Sequence, residues 1–284
     1  MAAQVRTDLR RRVAALTAAG LPPTLAVVLV GDNPASISYV TAKERDCEEV
    51  GIRSLDHRLP AATSQQQLLD LVQTLNRDRS VHGILVQLPL PEHIDPDAVV
   101  AAIDPDKDVD GFHPVSMGRL LLGLPGFVPC TPRAVLRMLE LSKVPLVGAQ
   151  VAVVGRGMIV GRPLAVLLSQ KRATANATVT LCHSATVDIA AHTARADVIV
   201  AAIGRPAFIT ADMVKPGAVV IDVGINRVED SSRPRGYRLV GDVDTDAVAA
   251  VAAQITPVPG GVGPMTRAML LENTVQGAEG AAHA

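Results

Sequence analysis

Lys43 stands on the wrong face of its helix. The segment Ser36-Ile-Ser-Tyr-Val-Thr-Ala-Lys-Glu-Arg-Asp-Cys-Glu-Glu-Val50 runs up to Gly51, a residue suited to close a helix. At 100° per residue, Val40, Cys47 and Val50 share one side, while Glu44, Arg45, Asp46, Glu48 and Glu49 cover the other. Lys43 falls in the middle of the apolar stripe, with Tyr39 one turn before it. An inward ammonium is costly unless it finds hydrogen-bond partners or gives up its proton. Two readings follow. The stem is buried and the amine snorkels to water, or the amine serves a site as a proton-transfer group.

Other polar residues fall where such a site would need them. Gly83-Ile-Leu-Val-Gln87-Leu-Pro-Leu-Pro91 puts one amide at the carboxyl end of an apolar strand, the edge at which open parallel sheets bind ligands. Gln87 is either a loop hydrogen-bonder or a group that positions water or a carbonyl beside the lysine. In Asp104-Pro-Asp-Lys-Asp-Val-Asp-Gly111, the residues Asp106, Asp108, Asp110 and Gly111 imitate the start of a calcium loop. The twelfth position would be Met117 rather than Glu, and Pro114 occupies the ninth, so calcium is rejected. What remains is a solvated acidic turn, or one Asp gripping the amino groups of a ligand. The seven histidines form no HxxxH or HExxH pattern and the cysteines are scattered, so no metal site is expected. No Gly-x-Ser-x-Gly elbow supports acyl transfer.

The second half holds a different signal. Val151-Ala-Val-Val-Gly-Arg-Gly-Met-Ile-Val-Gly161 reads as strand, glycine turn and helix start, spaced GxGxxxG. Gly155 and Gly157 would let the backbone turn and approach a pyrophosphate at the helix N-terminus. Without a ligand, the same pattern is an ordinary strand-turn-helix. The next strand ends Leu181-Cys182-His183-Ser184, with no acid before Asp188 to hold a ribose 2′-hydroxyl. Arg156 sits in the turn, placed with Ser184 to meet a 2′-phosphate, which points to NADP. A solvated loop arginine is the alternative.

The elements that must position these residues alternate along the chain. Apolar β-branched runs lie at Leu25–Val30, Gly83–Gln87, Val151–Val154, Thr178–Cys182, Val198–Ala201 and Val219–Val223. Helical patterns lie at Ser36–Val50, Ser64–Asn76, Pro96–Ile103, Gly161–Ser169 and Thr245–Val251. The alternation predicts an α/β fold with parallel sheets and crossover helices. Gly and Pro interrupt it at Gly118–Pro132, after which Thr131 and Pro132 read as the N-cap and N1 of a connecting helix through Ser142. A second break, Pro257–Pro264, precedes a last helix to about Gln276. The expected domains are 1–129 plus 264–284, and 130–263.

Composition bounds the function. Hydrophobic residues make up 48% of 284 and aromatics 2%, so cores of Val, Leu, Ile and Ala are expected, as under helix-covered parallel strands. A net charge of −1 and a pI near 6.7 suggest no nucleic-acid or anionic-membrane surface. Three separated cysteines suggest a reducing compartment. Arg6, Arg10, Arg11 and Arg12 are followed by no secretory apolar region. No apolar run nears the roughly 18 residues of a membrane span. A cytoplasmic protein is expected.

Taken together, these segments resemble the bifunctional methylenetetrahydrofolate dehydrogenase/methenyltetrahydrofolate cyclohydrolase family, from about Leu25 to Thr274. The pieces are Tyr39-Val-Thr-Ala-Lys43, Val86-Gln-Leu-Pro-Leu-Pro91, Lys107-Asp-Val-Asp-Gly111, Pro129-Cys-Thr-Pro132, Val154-Gly-Arg-Gly-Met-Ile-Val-Gly-Arg-Pro163, Cys182-His-Ser184, Gly224-Ile-Asn226 and Ile255-Thr-Pro-Val-Pro-Gly-Gly-Val-Gly-Pro-Met-Thr266. The resemblance implies two α/β domains flanking a cleft, the second Rossmann-like, the last helix packing back on the first domain, and a homodimer. It implies that Tyr39 stacks on the pterin, Lys43 is the main catalytic group, Gln87 assists it, and Asp110 holds the pterin's nitrogen edge. Pro259, Gly260, Gly261 and Val262 would line the folate side, and Gly155, Arg156, Gly157, Ile159, His183, Ser184 and Ile225 would contact NADP. The activity would be oxidation of a folate-borne methylene carbon and hydrolysis of the methenyl product, in one-carbon and purine biosynthesis. Two departures stand out. Gly157 replaces the family's usual Ser, and the N-terminus lacks the short Leu-Asp-Gly-Lys-like strand that usually precedes the first helix, through a misplaced start or a lost edge strand. Rival readings are a dehydrogenase of another small metabolite, which needs no pterin-stacking Tyr39, and a dinucleotide sensor without turnover.

Overall fold

The computed structural model describes residues 1–233 and 235–282. The chain divides into two units, Met1–Cys130 with Arg267–Ala284, and Thr131–Thr266. Each is built on a parallel sheet whose first strand in sequence lies inside the sheet, with later strands added on both sides.

In the first unit, helix α1 (Ala2–Ala18) precedes strand β1 (Thr24–Val30), which is buried from end to end. Helix α2 (Pro34–Val50) leads to β2 (Arg53–Leu59), α3 (Gln65–Arg77) to β3 (Gly83–Val86), and α4 (Pro96–Ala102) and α5 (Pro114–Leu122) follow. Strand order is β2-β1-β3, all parallel, with Val28 between His57 and Val86. The polar strand β2 escapes the apolar-run criterion because it is a half-exposed edge. Local chemistry sets the helix ends. Asn33 accepts from the backbone of Ala35 and Ser36, with Pro34 opening α2 and Gly51 closing it at φ 86°. Ser64 and Gln67 form a reciprocal capping box on α3.

The structure corrects several expectations. Asp46 is not on a solvated face. It is 8% exposed, 2.5 Å from Arg267 Nε and 3.7 Å from Arg6 Nη1, because α1 and the last helix cover that side and bring the two guanidiniums. The expected break at Gly118–Pro132 contains helix: α5 runs through Gly118 to Gly123, which closes it at φ 68°. Helix α6 (Cys130–Leu141) starts one residue before Thr131, so Thr131 and Pro132 lie in its first turn rather than at its cap.

The second unit continues with β4 (Gln150–Val154), α7 (Gly161–Ser169), β5 (Thr178–Cys182), α8 (Ile189–Thr193), β6 (Val198–Ala201) and β7 (Val219–Asp222). Then come the antiparallel hairpin β8 (Asn226–Glu229) and β9 (Tyr237–Val240), α9 (Thr245–Ala249) and β10 (Gln254–Ile255). The main sheet is parallel, in the order β10-β7-β6-β4-β5. Its core is aliphatic, from Ala152, Val154, Ile199, Ile209 and Val220 among others. On the hairpin, the Arg227 guanidinium lies 4.8 Å from the centre of the Tyr237 ring. Helix α10 (Val262–Ala281) begins inside the expected break, at Val262, and runs past Gln276. From Arg267 onward it belongs to the first unit. The unit boundaries therefore fall after residues 130 and 266.

Candidate active site

Because β1 has β2 on one side and β3 on the other, the chain reverses its direction of growth between β1 and β3. Crevices at the carboxyl ends of such strands are where open α/β sheets take ligands. Gln87 follows β3 there, its N–H donating to Val28 O at 2.8 Å. Lys43 comes from α2, the helix leaving β1, and its Nζ donates to Gln87 Oε1 at 3.0 Å. The amide is fixed at its other end too, where Nε2 donates to Leu88 O at 2.6 Å. The amine of this half-buried residue thus has a defined partner in the protein. Tyr39, one turn earlier, is 50% exposed, its ring open to a flat ligand.

Asp110 joins this pair. The segment Lys107–Asp110 runs beside β3, with Ile84 N donating to Lys107 O at 2.8 Å, and so carries Asp110 toward the same edge. Burial raises the Asp110 carboxyl above its ordinary range, while the charge of Lys43 and a hydrogen bond with Cys130 pull it down. The turn that follows cannot drift. Gly111 has φ 76°, and a Cβ there would lie 2.6 Å from Pro129 N. The other acids of the run have structural work. Asp108 is 1% exposed and accepts from the N–H groups of Gly111, Phe112 and His113 and from Ser116 Oγ. Burial pushes its carboxyl up to about 6 despite those donors. Asp106 pairs with Arg119 at 2.8 Å. Of the two readings of the acidic run, neither covers the whole: one Asp faces the lysine, and another is a buried cap.

Residues that sequence reasoning missed support this arrangement. Asn273 of α10 is fully buried and donates to Val109 O at 2.7 Å and Val128 O at 3.1 Å, tying the residue before Asp110 to the segment that leads into α6. Cys130 Sγ donates to Val109 O at 3.3 Å. Asn273 sits among Glu272, Thr274 and Gln276 on α10, so no local contrast in residue type marked it.

The glycine loop lies in the second unit, between β4 and α7, where that sheet also reverses its growth: β5 lies on one side of β4 and β6 on the other. Gly155 has φ 122°, and a Cβ would stand 2.0 Å from Ala202 O, at the end of β6. At Gly161 a Cβ would stand 1.8 Å from Gly155 O. Gly157 differs, since a Cβ there meets nothing within 4 Å and its φ is not positive. The protein's own packing therefore demands the first and third glycines and leaves the second free. Arg156 and Ile159 are exposed, and Arg156 makes no ion pair among the described residues. His183 Nδ1 accepts from Ala185 N, and exposed Ser184 lies between them. Asp188, the first acid after β5, caps α8 by accepting from Ala191 N. The turn with its open backbone, exposed arginine and absent acid fits a dinucleotide carrying a 2′-phosphate. Ile225 is 50% exposed. Pro259, Gly260 and Gly261 form a turn in this unit closed by Gly261 N donating to Pro257 O at 2.9 Å, and Val262 is buried behind it.

No group of three or more His, Cys, Asp and Glu stands placed to hold a metal among the described residues. No helix among them is long and apolar enough to cross a membrane.

Two family models match the chain. The tetrahydrofolate dehydrogenase/cyclohydrolase catalytic domain matches residues 1–110, and the NAD(P)-binding domain of the same name matches residues 129–282. The bifunctional FolD protein of Salinibacter ruber is 59% identical over 274 residues, covering 96% of this chain and 92% of its own length. Among solved structures, the bifunctional FolD dehydrogenase/cyclohydrolase of Campylobacter jejuni is 48% identical, with a TM-score of 0.93 over 98% of this chain and 96% of its own. The Trypanosoma brucei methylenetetrahydrofolate dehydrogenase-cyclohydrolase, solved with NADP cofactor and inhibitor, is 42% identical, with a TM-score of 0.93 over 100% of this chain and 96% of its own. The motifs around Lys43, Asp110 and Gly155 thus sit in a chain similar along nearly its whole length to these enzymes, and this chain belongs to the tetrahydrofolate dehydrogenase/cyclohydrolase family.

Proposed function

We propose that this chain oxidises 5,10-methylenetetrahydrofolate to the 5,10-methenyl compound with NADP as acceptor and hydrolyses that product to 10-formyltetrahydrofolate. The observation that carries it is the Lys43 amine held 3.0 Å from Gln87 Oε1, with Asp110 close enough to feel its charge. Loss of hydride from the methylene carbon leaves a cation spread over N5 and N10, so this step asks the protein mainly to hold its reactants. Tyr39 supplies a ring face for the pterin, and Asp110 accepts N–H groups at the pterin's nitrogen edge. Pro259, Gly260, Gly261 and Val262 supply the folate-facing turn of the second unit. When bound, NADP supplies the hydride acceptor. Gly155 and Gly157 leave backbone open to its pyrophosphate, Arg156 and Ser184 meet its 2′-phosphate, and Ile159, His183 and Ile225 complete the contact.

Hydrolysis asks for more. Water adds to the cationic carbon and loses a proton; the C–N5 bond then breaks as N5 gains one, leaving the formyl group on N10. Lys43 handles these proton transfers, and Gln87 orients its amine. The first unit is the folate domain and the second the cofactor domain. Three buried free cysteines and a net charge of −1 support a reducing, cytoplasmic setting without nucleic-acid or membrane partners, and the family resemblance supports a homodimer. Neither activity should require a metal.

The test is to mix the protein with methylenetetrahydrofolate and NADP after exhaustive chelation, following methenyl and formyl products by absorbance. Methenyl signal that forms and then decays to formyl product supports the reading. No conversion with or without an added divalent ion overturns it, and activity that only a divalent ion restores overturns the metal-free part.

A further inference from the structure

Two fully buried carboxylates in the second unit serve no step described so far. Asp222, at the end of β7, and Asp242, after β9, are 1% and 0% exposed. Neither has an ion-pair partner among the described residues; their ligands are N–H groups. Asp242 Oδ2 accepts from Ile203 N at 2.6 Å and Gly204 N at 2.9 Å. Its Oδ1 accepts from Arg205 N at 2.9 Å and Asn226 Nδ2 at 2.8 Å. Asp222 Oδ1 accepts from Gly224 N and Asp242 N, each at 2.9 Å, and its Oδ2 from Val243 N at 3.0 Å. The seven donors satisfy two charges that would otherwise be very costly to bury.

The glycines around them record the same design. A Cβ on Gly224 would lie 2.3 Å from the Asp242 carboxyl, and one on Gly241 would lie 1.8 Å from Asp222 Oδ2. Each carboxylate enters space that only a glycine leaves empty.

What they hold is the carboxyl edge of β6 and β7. Residues 203–205 directly follow Ala202, whose carbonyl abuts the Gly155 turn. Ile225, half exposed, is gripped from both sides: Gly224 N binds Asp222, and the Asn226 side chain binds Asp242. A dinucleotide whose pyrophosphate lies at the β4 turn and whose 2′-phosphate end lies beyond β5 must extend its other end across β6 and β7. We propose that Asp242, supported by Asp222, is a positioning residue for the nicotinamide end of the cofactor, fixing residues 203–205 and Ile225 in the shape that receives it. This rests on the cofactor reading above.

Asp242→Asn is the first test. It keeps size and one oxygen but turns an N–H group toward backbone donors, leaving them unsatisfied. NADP binding is read by isothermal titration calorimetry and backbone amide exchange of residues 203–205 and 224–226 by mass spectrometry. The dehydrogenase KM for NADP is compared with the cyclohydrolase rate on methenyltetrahydrofolate supplied without nucleotide. The expected result is a Kd and KM for NADP at least tenfold higher, faster exchange in both segments, and a cyclohydrolase rate within twofold of wild type. Unchanged NADP affinity despite faster exchange would overturn the proposal, as would equal loss of both activities. Should Asp242→Asn not fold, Asn226→Ala removes one of Asp242's four donors and should raise the Kd about threefold; an unaltered Kd would again overturn it. Wild-type protein that binds no NADP would instead sink the cofactor reading itself.

Discussion

Lys43 and Gly155 both come after the first strand of their sheets, one on the helix that follows β1 and the other in the turn that follows β4, and they are held there by opposite means. Lys43 is positioned by another side chain, with Gln87 Oε1 3.0 Å away and Asp110 nearby. Gly155 is positioned by what it lacks, since Ala202 O occupies the space of its missing Cβ. One unit presents functional groups on side chains, and the other presents backbone. Substitutions should therefore fail differently: in the first unit chemistry goes before the fold, and in the second the fold goes before the chemistry.

The largest expected effect tests the side-chain half. Lys43→Met keeps the stem but deletes the amine, and should slow hydrolysis of methenyltetrahydrofolate by on the order of 10²–10⁴. Some dehydrogenase activity should survive, so methenyl product accumulates, and the melting curve should move little because a half-buried charge is removed. Hydrolysis at close to the wild-type rate would return Lys43 to a snorkelling role. Gly155→Ala tests the backbone half. It should cost about 3 kcal/mol or more of stability, from a strained φ and a collision with Ala202 O. Gly157→Ala, the same chemical change two residues on, should melt with the wild type; a matching loss there would erase the distinction.

Arg156 is the exception, a side chain expected to matter within the backbone site. Arg156→Ala should raise the KM for NADP roughly 10- to 100-fold and that for NAD far less. Equal effects would show that it does not read the 2′-phosphate. Asp110 brings pH into the comparison. Burial holds its carboxyl above the ordinary range, so lowering the pH through that raised value protonates it and removes an acceptor. The KM for the folate substrate should then climb about tenfold on the acid side and stay flat above it. In Asp110→Asn it should be high and independent of pH over the same range, and a persisting acid limb would assign the titration elsewhere. The smallest effect is a gain. Gly157→Ser has room for its side chain and should tighten NADP binding about two- to tenfold through one hydrogen bond; weaker binding would mean the open position serves another purpose.

Legibility from sequence followed the same divide. The apolar strands β1, β3, β4, β6 and β7 were readable because buried parallel strands are runs of Val, Ile, Leu and Ala, the edge strand β5 was readable from its β-branched Thr and Val, and Lys43 stood out against an apolar stripe. Strand β2 and the hairpin β8–β9 were not, being polar and partly exposed, without a run to detect. Asp46 was grouped with the charged side of its helix, where nothing local marks it as buried; only the fold brings Arg6 and Arg267 to it across the chain. Asp222, Asp242 and Asn273 were missed for a related reason. Their partners are backbone groups distant in sequence, which no local pattern of residue types can reveal.

The scarcity of aromatic residues gives the molecule a simple optical anatomy. There is no Trp, and the two Tyr fall one to each unit, Tyr39 beside Lys43 and Tyr237 beneath Arg227 on the hairpin. The chain thus carries two native fluorophores, one per unit, unobscured by a stronger emitter. In Tyr39→Phe the remaining emission reports on the second unit alone, and in Tyr237→Phe on the first. Unfolding of the two units can thereby be followed separately in otherwise unlabelled protein.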